Sequence, residues 1–321
     1  MTTGSDGTRL AIAFPGQGTQ RAGMARDFHE QSAAAREVFT HASEALGLDV
    51  ALLCFEPDSR LERTEYAQPA ILTAEVAMLR ALESELGVTA AVFGGHSLGE
   101  YAALVAADVI DLARAVVLVR ERGRLMQAAA PADPSGMIAV VQPEMNLDAL
   151  IAGLAGFPDL AVDVANINSA DQVVLSGRNT DLDEAAKKIR TIDGFARARC
   201  LPLKVSGPFH SRWMKPAGDE LRALLQANSA TWCSAGAPRV TSNVSGGMHD
   251  ADAASIVDLL ARQVSAPVRW LDNMHALAAR ADRVIELGPG KPLRAFFSSI
   301  GVDAVAITSW QAAAAAAPQL R

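Results

Sequence analysis

A chain of 321 residues, half of them hydrophobic and a fifth charged, carries enough apolar material for one large domain or about two, and its composition is not that of a disordered chain. A net charge of −7 without a basic stripe excludes a nucleic-acid binder, and no apolar run approaches the ~18 residues of a membrane-spanning helix. Cys54, Cys200 and Cys233 are odd in number and far apart, so they read as buried free thiols in a cytoplasmic protein, with no disulfide framework and no metal site.

Residues 1–9 are polar and lack the charged start and long apolar core of a signal peptide. Leu10–Phe14 predicts a buried strand closed by the small-residue loop Pro15-Gly16-Gln17-Gly18. Helical patterns follow over about 23–46 and 68–86. The apolar run 90–93 predicts a second strand, a sharp turn at Gly95-His96-Ser97-Leu98-Gly99, a helix from Glu100, and another helix over 112–129. Alternating strands and helices indicate an α/β fold with a mainly parallel sheet. After the Pro/Gly-rich stretch 131–136 the character changes. Strands at 137–141, 161–166, 172–176 and 196–203, with helices at 147–154 and 181–192, give the β-α-β-β-α-β order of a ferredoxin-like unit. We read 132–203 as a small ferredoxin-like domain inserted into a large α/β-hydrolase-like domain formed by 1–131 and 204–321. The second part of the large domain predicts a helix at 214–227, strands at 239–242 and 283–287, and a frayed alanine-rich end at 311–318.

Gly95-His96-Ser97-Leu98-Gly99 fits the G-x-S-x-G pattern, which by chance alone arises in roughly one such chain in ten. Its place between strand and helix makes Ser97 the candidate nucleophile, with the Leu98 amide at a helix N-terminus facing a developing oxyanion. A serine nucleophile needs a base, and six histidines are available. His96 adjoins Ser97 on the same turn and is expected to pack rather than reach the hydroxyl. His29 and His41 read as surface residues, His249 as part of a turn and His275 as helical. His210, in the Gly/Pro loop Val205-Ser206-Gly207-Pro208-Phe209-His210-Ser211, is the favoured base, although the residues alone do not decide it.

Five motifs then occur in one order: Phe14-Pro15-Gly16-Gln17-Gly18-Thr19-Gln20, Gly95-His96-Ser97-Leu98-Gly99-Glu100-Tyr101, Arg122-Gly123-Arg124-Leu125-Met126-Gln127, Gly207-Pro208-Phe209-His210-Ser211 and Glu286-Leu287-Gly288-Pro289-Gly290. In this order and spacing the chain resembles the malonyl-coenzyme A:acyl-carrier-protein transacylases, from about residue 11 to residue 308. The resemblance implies a ping-pong transfer through a malonyl ester of Ser97. His210 would act as the base, first toward Ser97 and then toward the phosphopantetheine thiol of the carrier protein. It implies an oxyanion hole from the amides of Gln17 and Leu98, and orientation of the histidine by a backbone carbonyl at Gln263. Arg122 would clamp the malonyl carboxylate, as a planar guanidinium suits, while Arg120 and Arg124 read as surface charges. In related polyketide acyltransferases a phenylalanine before the histidine goes with malonyl, so Phe209 is the selectivity candidate. Thr19 and Asp108 depart from common family residues without touching this chemistry. Asn166 and Asn168 match a segment near the family's pocket and are equally compatible with a structural role.

The implied partners are malonyl-coenzyme A and an acyl carrier protein, with a monomeric enzyme, no cofactor of its own, and a place in fatty-acid or polyketide assembly. Carrier proteins are normally acidic, so docking is expected at a basic patch, with Lys187, Lys188, Arg190 and Lys204 as candidates. The competing enzyme reading is an acyl hydrolase of the same fold, against which Arg122 argues. A non-enzymatic docking module would be expected to lack Ser97 or His210, and both are present.

Overall fold

The computed structural model describes residues 8–321, so the reading of residues 1–7 lies outside the described residues. The strands, in chain order, are β1 (Leu10–Phe14), β2 (Val92–Gly95), β3 (Ser135–Val141), β4 (Val162–Ser169), β5 (Gln172–Arg178), β6 (Arg199–Pro202), β7 (Arg283–Leu287) and β8 (Ala304–Ile307). They form two sheets. One is wholly parallel, in the order β2-β1-β7-β8. The other is antiparallel, in the order β4-β5-β3-β6, with the helices Leu147–Ala155 and Asn179–Ile189 in its connections. That order and connectivity are those of the ferredoxin-like unit, here lying between two stretches of an α/β fold.

Strand periodicity explains the layering. In β1, Leu10, Ile12 and Phe14 enter the main core, whereas Ala11 and Ala13 face a second cluster around Trp270 and Phe297. A strand buried on both faces reads as a continuous apolar run, as Leu10–Phe14 does. The helix Thr64–Leu86 runs through the main core and is buried nearly all round from Ala67 to Leu82. In the second sheet the alternation separates its own core from the site. Ile138, Val140, Val173 and Leu175 pack with Leu150, Leu182 and Ile189, while Met137, Ala139 and Val174 turn toward the main core.

Four expectations change. The pattern over 23–46 forms two helices, Arg26–Gln31 and Ala33–Leu46, because Ser32 adopts an extended backbone and caps the second by accepting from the Ala35 amide. Residues 239–242 form no strand: Val240 pairs with Phe93 and Thr241 with Met248 as single bridges, and the chain then curls back through a bond from Gly246 to the Ser242 carbonyl. Of the three thiols expected to be buried only Cys54 is; Cys200 is half-buried and Cys233 exposed. The alanine-rich end is a packed helix, Trp310–Leu320, rather than a frayed one. Ser309 caps it, the Trp310 amide donates to Asp27 at 2.7 Å, and the Trp310 ring meets Phe28 edge-on at 5.7 Å. Ala313, Ala317 and Leu320, spaced one turn apart, form its buried face, where small side chains allow close approach.

This packing is open to test. Leu320→Ala is expected to cost about 2 kcal/mol, the low end for a buried leucine, in a urea melt. An unchanged melt would mean that the terminal helix contributes nothing to the fold.

Candidate active site

The turn after β2 imposes the geometry of the site. Ser97 has φ 52°, a left-handed conformation that is uncommon for a serine. The flanking glycines make the turn possible: a Cβ at Gly95 would lie 1.9 Å from the Gly99 carbonyl carbon, and one at Gly99 would lie 2.3 Å from the Phe14 oxygen. Asn243 bridges the turn, accepting from the Ser97 amide at 2.7 Å and donating to the Gly95 carbonyl at 2.8 Å. The helix Gly99–Ala106 follows, so the Leu98 amide stands at its N-terminus.

Four of the sequence candidates meet at the Ser97 hydroxyl or one bond away. His210 Nε2 lies 2.8 Å from Ser97 Oγ, and His210 Nδ1 lies 2.8 Å from the Gln263 carbonyl, to which it donates. With Nδ1 protonated, Nε2 is the free acceptor, which is the tautomer a base requires. His210 is also left-handed, φ 56°, and 5% exposed. Burial, with the positive charge of Arg122 next in weight, brings its pKa down to about 3. Arg122 is 1% exposed; its Nη2 donates to Ser97 Oγ at 3.0 Å and to Gln263 Oε1 at 2.9 Å, and its Nη1 donates to Gln68 Oε1 at 2.9 Å. No carboxylate among the described residues lies within 4.0 Å of this guanidinium. Burial lowers its pKa, but a guanidinium stays charged.

The backbone amides of Gln17 and Leu98 donate to no acceptor among the described residues. Gln17 and Leu98 both line the pocket above Ser97, whose volume is about 640 Å³. Phe209, Asn166, Asn168 and Lys204 line it too, as does Val174 of β5, so the second sheet supplies one wall. His96 packs edge-on to Trp270 and bonds Asn168 Oδ1 through Nε2 at 2.9 Å, with no hydrogen bond to the Ser97 hydroxyl. His41 and His275 are exposed and His29 is half-buried. A groove of about 740 Å³ bordered by Arg80, Asp108 and Cys233 holds none of the candidate site residues.

Sequence reasoning missed the layer behind these groups. Glu100 is fully buried; it accepts from Gln263 Nε2 at 2.6 Å, from the Asn243 amide at 3.0 Å and from His249 Nε2 at 2.7 Å. His249, read as part of a turn, is thus a buried partner of Glu100. Gln68 and Asn243 also went unnoticed. A usable signal existed only for Glu100, a carboxylate on an otherwise apolar helix immediately after the elbow.

Comparisons with known proteins agree in one direction. The Acyl transferase domain family matches residues 12–295. The malonyl CoA-acyl carrier protein transacylase of Bacillus subtilis is 38% identical over 288 residues, 89% of this chain and 88% of the relative. That of Salmonella typhimurium is 39% identical over 290 residues, covering 89% and 91%. Among solved structures, the malonyl CoA-acyl carrier protein transacylase of Clostridium perfringens superposes with a TM-score of 0.89 at 34% identity, over 98% of this chain and 97% of that one. A malonyl-transacylase solved with its type II PKS acyl-carrier protein gives 0.86 at 33% identity, over 97% and 100%.

The depressed pKa of His210 carries a testable consequence. A group at about 3 stays unprotonated as pH falls through 6.5, the ordinary imidazole value. Labelling of Ser97 by a neutral fluorophosphonate is therefore expected to hold its rate from pH 8 to pH 5. A decline centred near pH 6.5 would show that His210 titrates as an ordinary histidine.

Proposed function

The chain belongs to the acyl transferase family, among its malonyl CoA-acyl carrier protein transacylases, and we propose that it moves malonyl from malonyl-coenzyme A to a carrier-protein thiol in two half-reactions through Ser97. The observation that carries this reading is a buried guanidinium whose hydrogen-bond partners are all neutral, 3.0 Å from a serine hydroxyl that is itself 2.8 Å from a histidine nitrogen. Malonate brings the missing negative charge, and a bidentate carboxylate pair is the strongest partner such a cation can take.

In the first half, Ser97 Oγ forms a bond to the thioester carbon while its proton passes to His210 Nε2. The carbonyl oxygen, now negative, lies toward the Gln17 and Leu98 amides. The C–S bond then breaks, and His210 returns the proton to the departing thiolate, giving coenzyme A and a malonyl ester. In the second half the phosphopantetheine thiol of the carrier protein takes the place of coenzyme A, and the same steps run in reverse. The Gln263 carbonyl keeps the imidazole in the required tautomer. Phe209, 6% exposed at the pocket wall, disfavours an α-methyl branch, an effect worth at most a few kcal/mol. No cofactor resident in this chain is required, since the phosphopantetheine travels on the partner, and one chain holds every reacting group. Three unpaired cysteines suit a cytoplasmic setting. Among the described residues no helix is long and apolar enough to cross a membrane.

Of the four basic candidates for carrier docking, Lys204 is exposed at the pocket itself. Lys187 pairs with Glu184, Lys188 lies over the Phe157 ring, and Arg190 bonds the Ala198 carbonyl. We therefore assign carrier steering mainly to Lys204.

Intact-protein mass after brief exposure to malonyl-coenzyme A is expected to show a malonyl adduct that is absent in Ser97→Ala and passes to added carrier protein. An adduct lost to water as fast as to carrier would favour the hydrolase. Arg122→Ala is expected to reduce malonyl loading at least ~100-fold, the scale of a lost buried charge pair, and acetyl loading far less. Equal losses would remove Arg122 from the carboxylate site. Lys204→Glu is expected to raise the KM for carrier protein several-fold at low salt and leave coenzyme A loading unchanged. Unchanged transfer would clear Lys204.

A further inference from the structure

The hydroxyl of Ser97 is shared between two groups. His210 Nε2 lies 2.8 Å from it, and Arg122 Nη2 donates to it at 3.0 Å. Every partner of the guanidinium is neutral: the hydroxyl of Ser97 and the side-chain amide oxygens of Gln68 and Gln263. Its Nε is buried without a hydrogen-bond partner among the described residues.

We propose that Arg122 gates the nucleophile: in the empty site its Nη2 occupies a lone pair of Ser97 Oγ, and the carboxylate of an incoming acyl group draws the guanidinium away and frees it. Discrimination then lies in the release of the serine as well as in the binding of the acyl group. The inference rests on the malonyl-transfer reading of the same site.

Competition between acceptors is the physical basis. A carboxylate brings a negative charge to the acceptor and can take two guanidinium N–H groups at once, which a neutral oxygen cannot do. Once Nη2 bonds the carboxylate, both the lone pair and the line of attack on the thioester carbon are free. Pairing also cancels the field by which Arg122 weakens His210 as a base, so the dyad strengthens at the moment the substrate is seated. An acyl group without a carboxylate, such as acetyl, leaves Ser97 bonded to Arg122 and meets a weaker base.

A simple clamp and a gate differ in one respect. A clamp acts only on a carboxylate attached to the acyl group, whereas a gate opens for a detached one. The test follows acetylation of Ser97 in the full-length protein by acetyl-coenzyme A, read by rapid quench and intact mass, with sodium formate or chloride at equal ionic strength. In this reaction Ser97 Oγ bonds the acetyl carbon, the C–S bond breaks, and the serine proton passes through His210 Nε2 to the coenzyme A thiolate. Formate is the smallest carboxylate and is small beside the pocket's volume of about 640 Å³. It is expected to raise the acetylation rate on the order of tenfold, the worth of one hydrogen bond to a charged group, and to have no effect in Arg122→Ala. An unchanged or slower rate in the unmodified protein, or an equal acceleration in Arg122→Ala, overturns the gate. Malonyl-coenzyme A loading without formate runs in parallel. Its failure would remove the transfer reading itself, whereas normal malonyl loading with inert formate would remove only the gate.

Discussion

A buried cation with no carboxylate in direct contact is the constraint around which the rest of the site is arranged. Arg122 is 1% exposed, and an uncompensated charge at such a depth costs several kcal/mol. Three features offset that cost in the empty protein. Gln68 and Gln263 turn their amide oxygens to the guanidinium, and the Tyr101 ring lies 5.6 Å from it. The orientation of Gln263 is itself imposed. Glu100 accepts from Gln263 Nε2, so the amide nitrogen faces Glu100 and the oxygen faces Arg122. The Gln263 backbone carbonyl meanwhile holds His210. One residue thus couples the cation to the base, and Glu100, fixed by His249 and Asn243, holds that residue in place.

Two of the five non-glycine residues with positive φ among the described residues stand at the same place. Ser97 and His210 both occupy the left-handed region, each at a cost of about 1–3 kcal/mol. Neither conformation would persist without support from packing. At Ser97 the support comes from backbone contacts too close for any side chain at Gly95 or Gly99, and from the Asn243 bridge. At His210 it comes from the two ring bonds, to the Ser97 hydroxyl and the Gln263 carbonyl, and from Ser211, whose hydroxyl bonds the Pro208 carbonyl. The strain places two side chains from distant parts of the chain 2.8 Å apart. A nucleophile and base held in this way need little reorganisation before reaction.

The sequence carried these features unevenly, for physical reasons. Ser97 and the parallel strand β1 were legible because local rules produce them: a G-x-S-x-G turn, and an apolar run too continuous to be half-exposed. The ferredoxin-like order was legible because each of its elements has its own periodicity. His210 was only half legible, since residue chemistry left six histidines in contention and the resemblance decided among them. Gln68, Asn243 and His249 were not legible at all. Each acts through long-range contacts, and no local pattern marks a polar residue whose partner is more than fifty positions away. The terminal helix misled in the opposite way. Its alanine-rich composition resembles a frayed end, yet small side chains are what let it lie close against the core. At 239–242 Val240 and Thr241 do pair, but each forms a single bridge and the chain reverses before a ladder extends.

The weakness of the base bears on why transfer should outcompete hydrolysis. His210 is oriented by a neutral carbonyl, which fixes its tautomer but stabilises the imidazolium less than a carboxylate would. Burial and Arg122 weaken it further, to a pKa of about 3. At the acyl-serine stage of the proposed reaction the base would meet two nucleophiles: a thiol with a pKa near ~8.5 and water near ~15.7. Whatever pKa His210 reaches once Arg122 is paired, the gap of roughly seven units between thiol and water remains, because it belongs to the nucleophiles. A strong base narrows the practical consequence of that gap by activating water fast enough to matter; a weak one leaves water nearly inert while still assisting a thiol. On the proposed mechanism, the carbonyl at Gln263, where serine hydrolases use a carboxylate, would be part of the reason an acyl-serine in this pocket waits for a thiol.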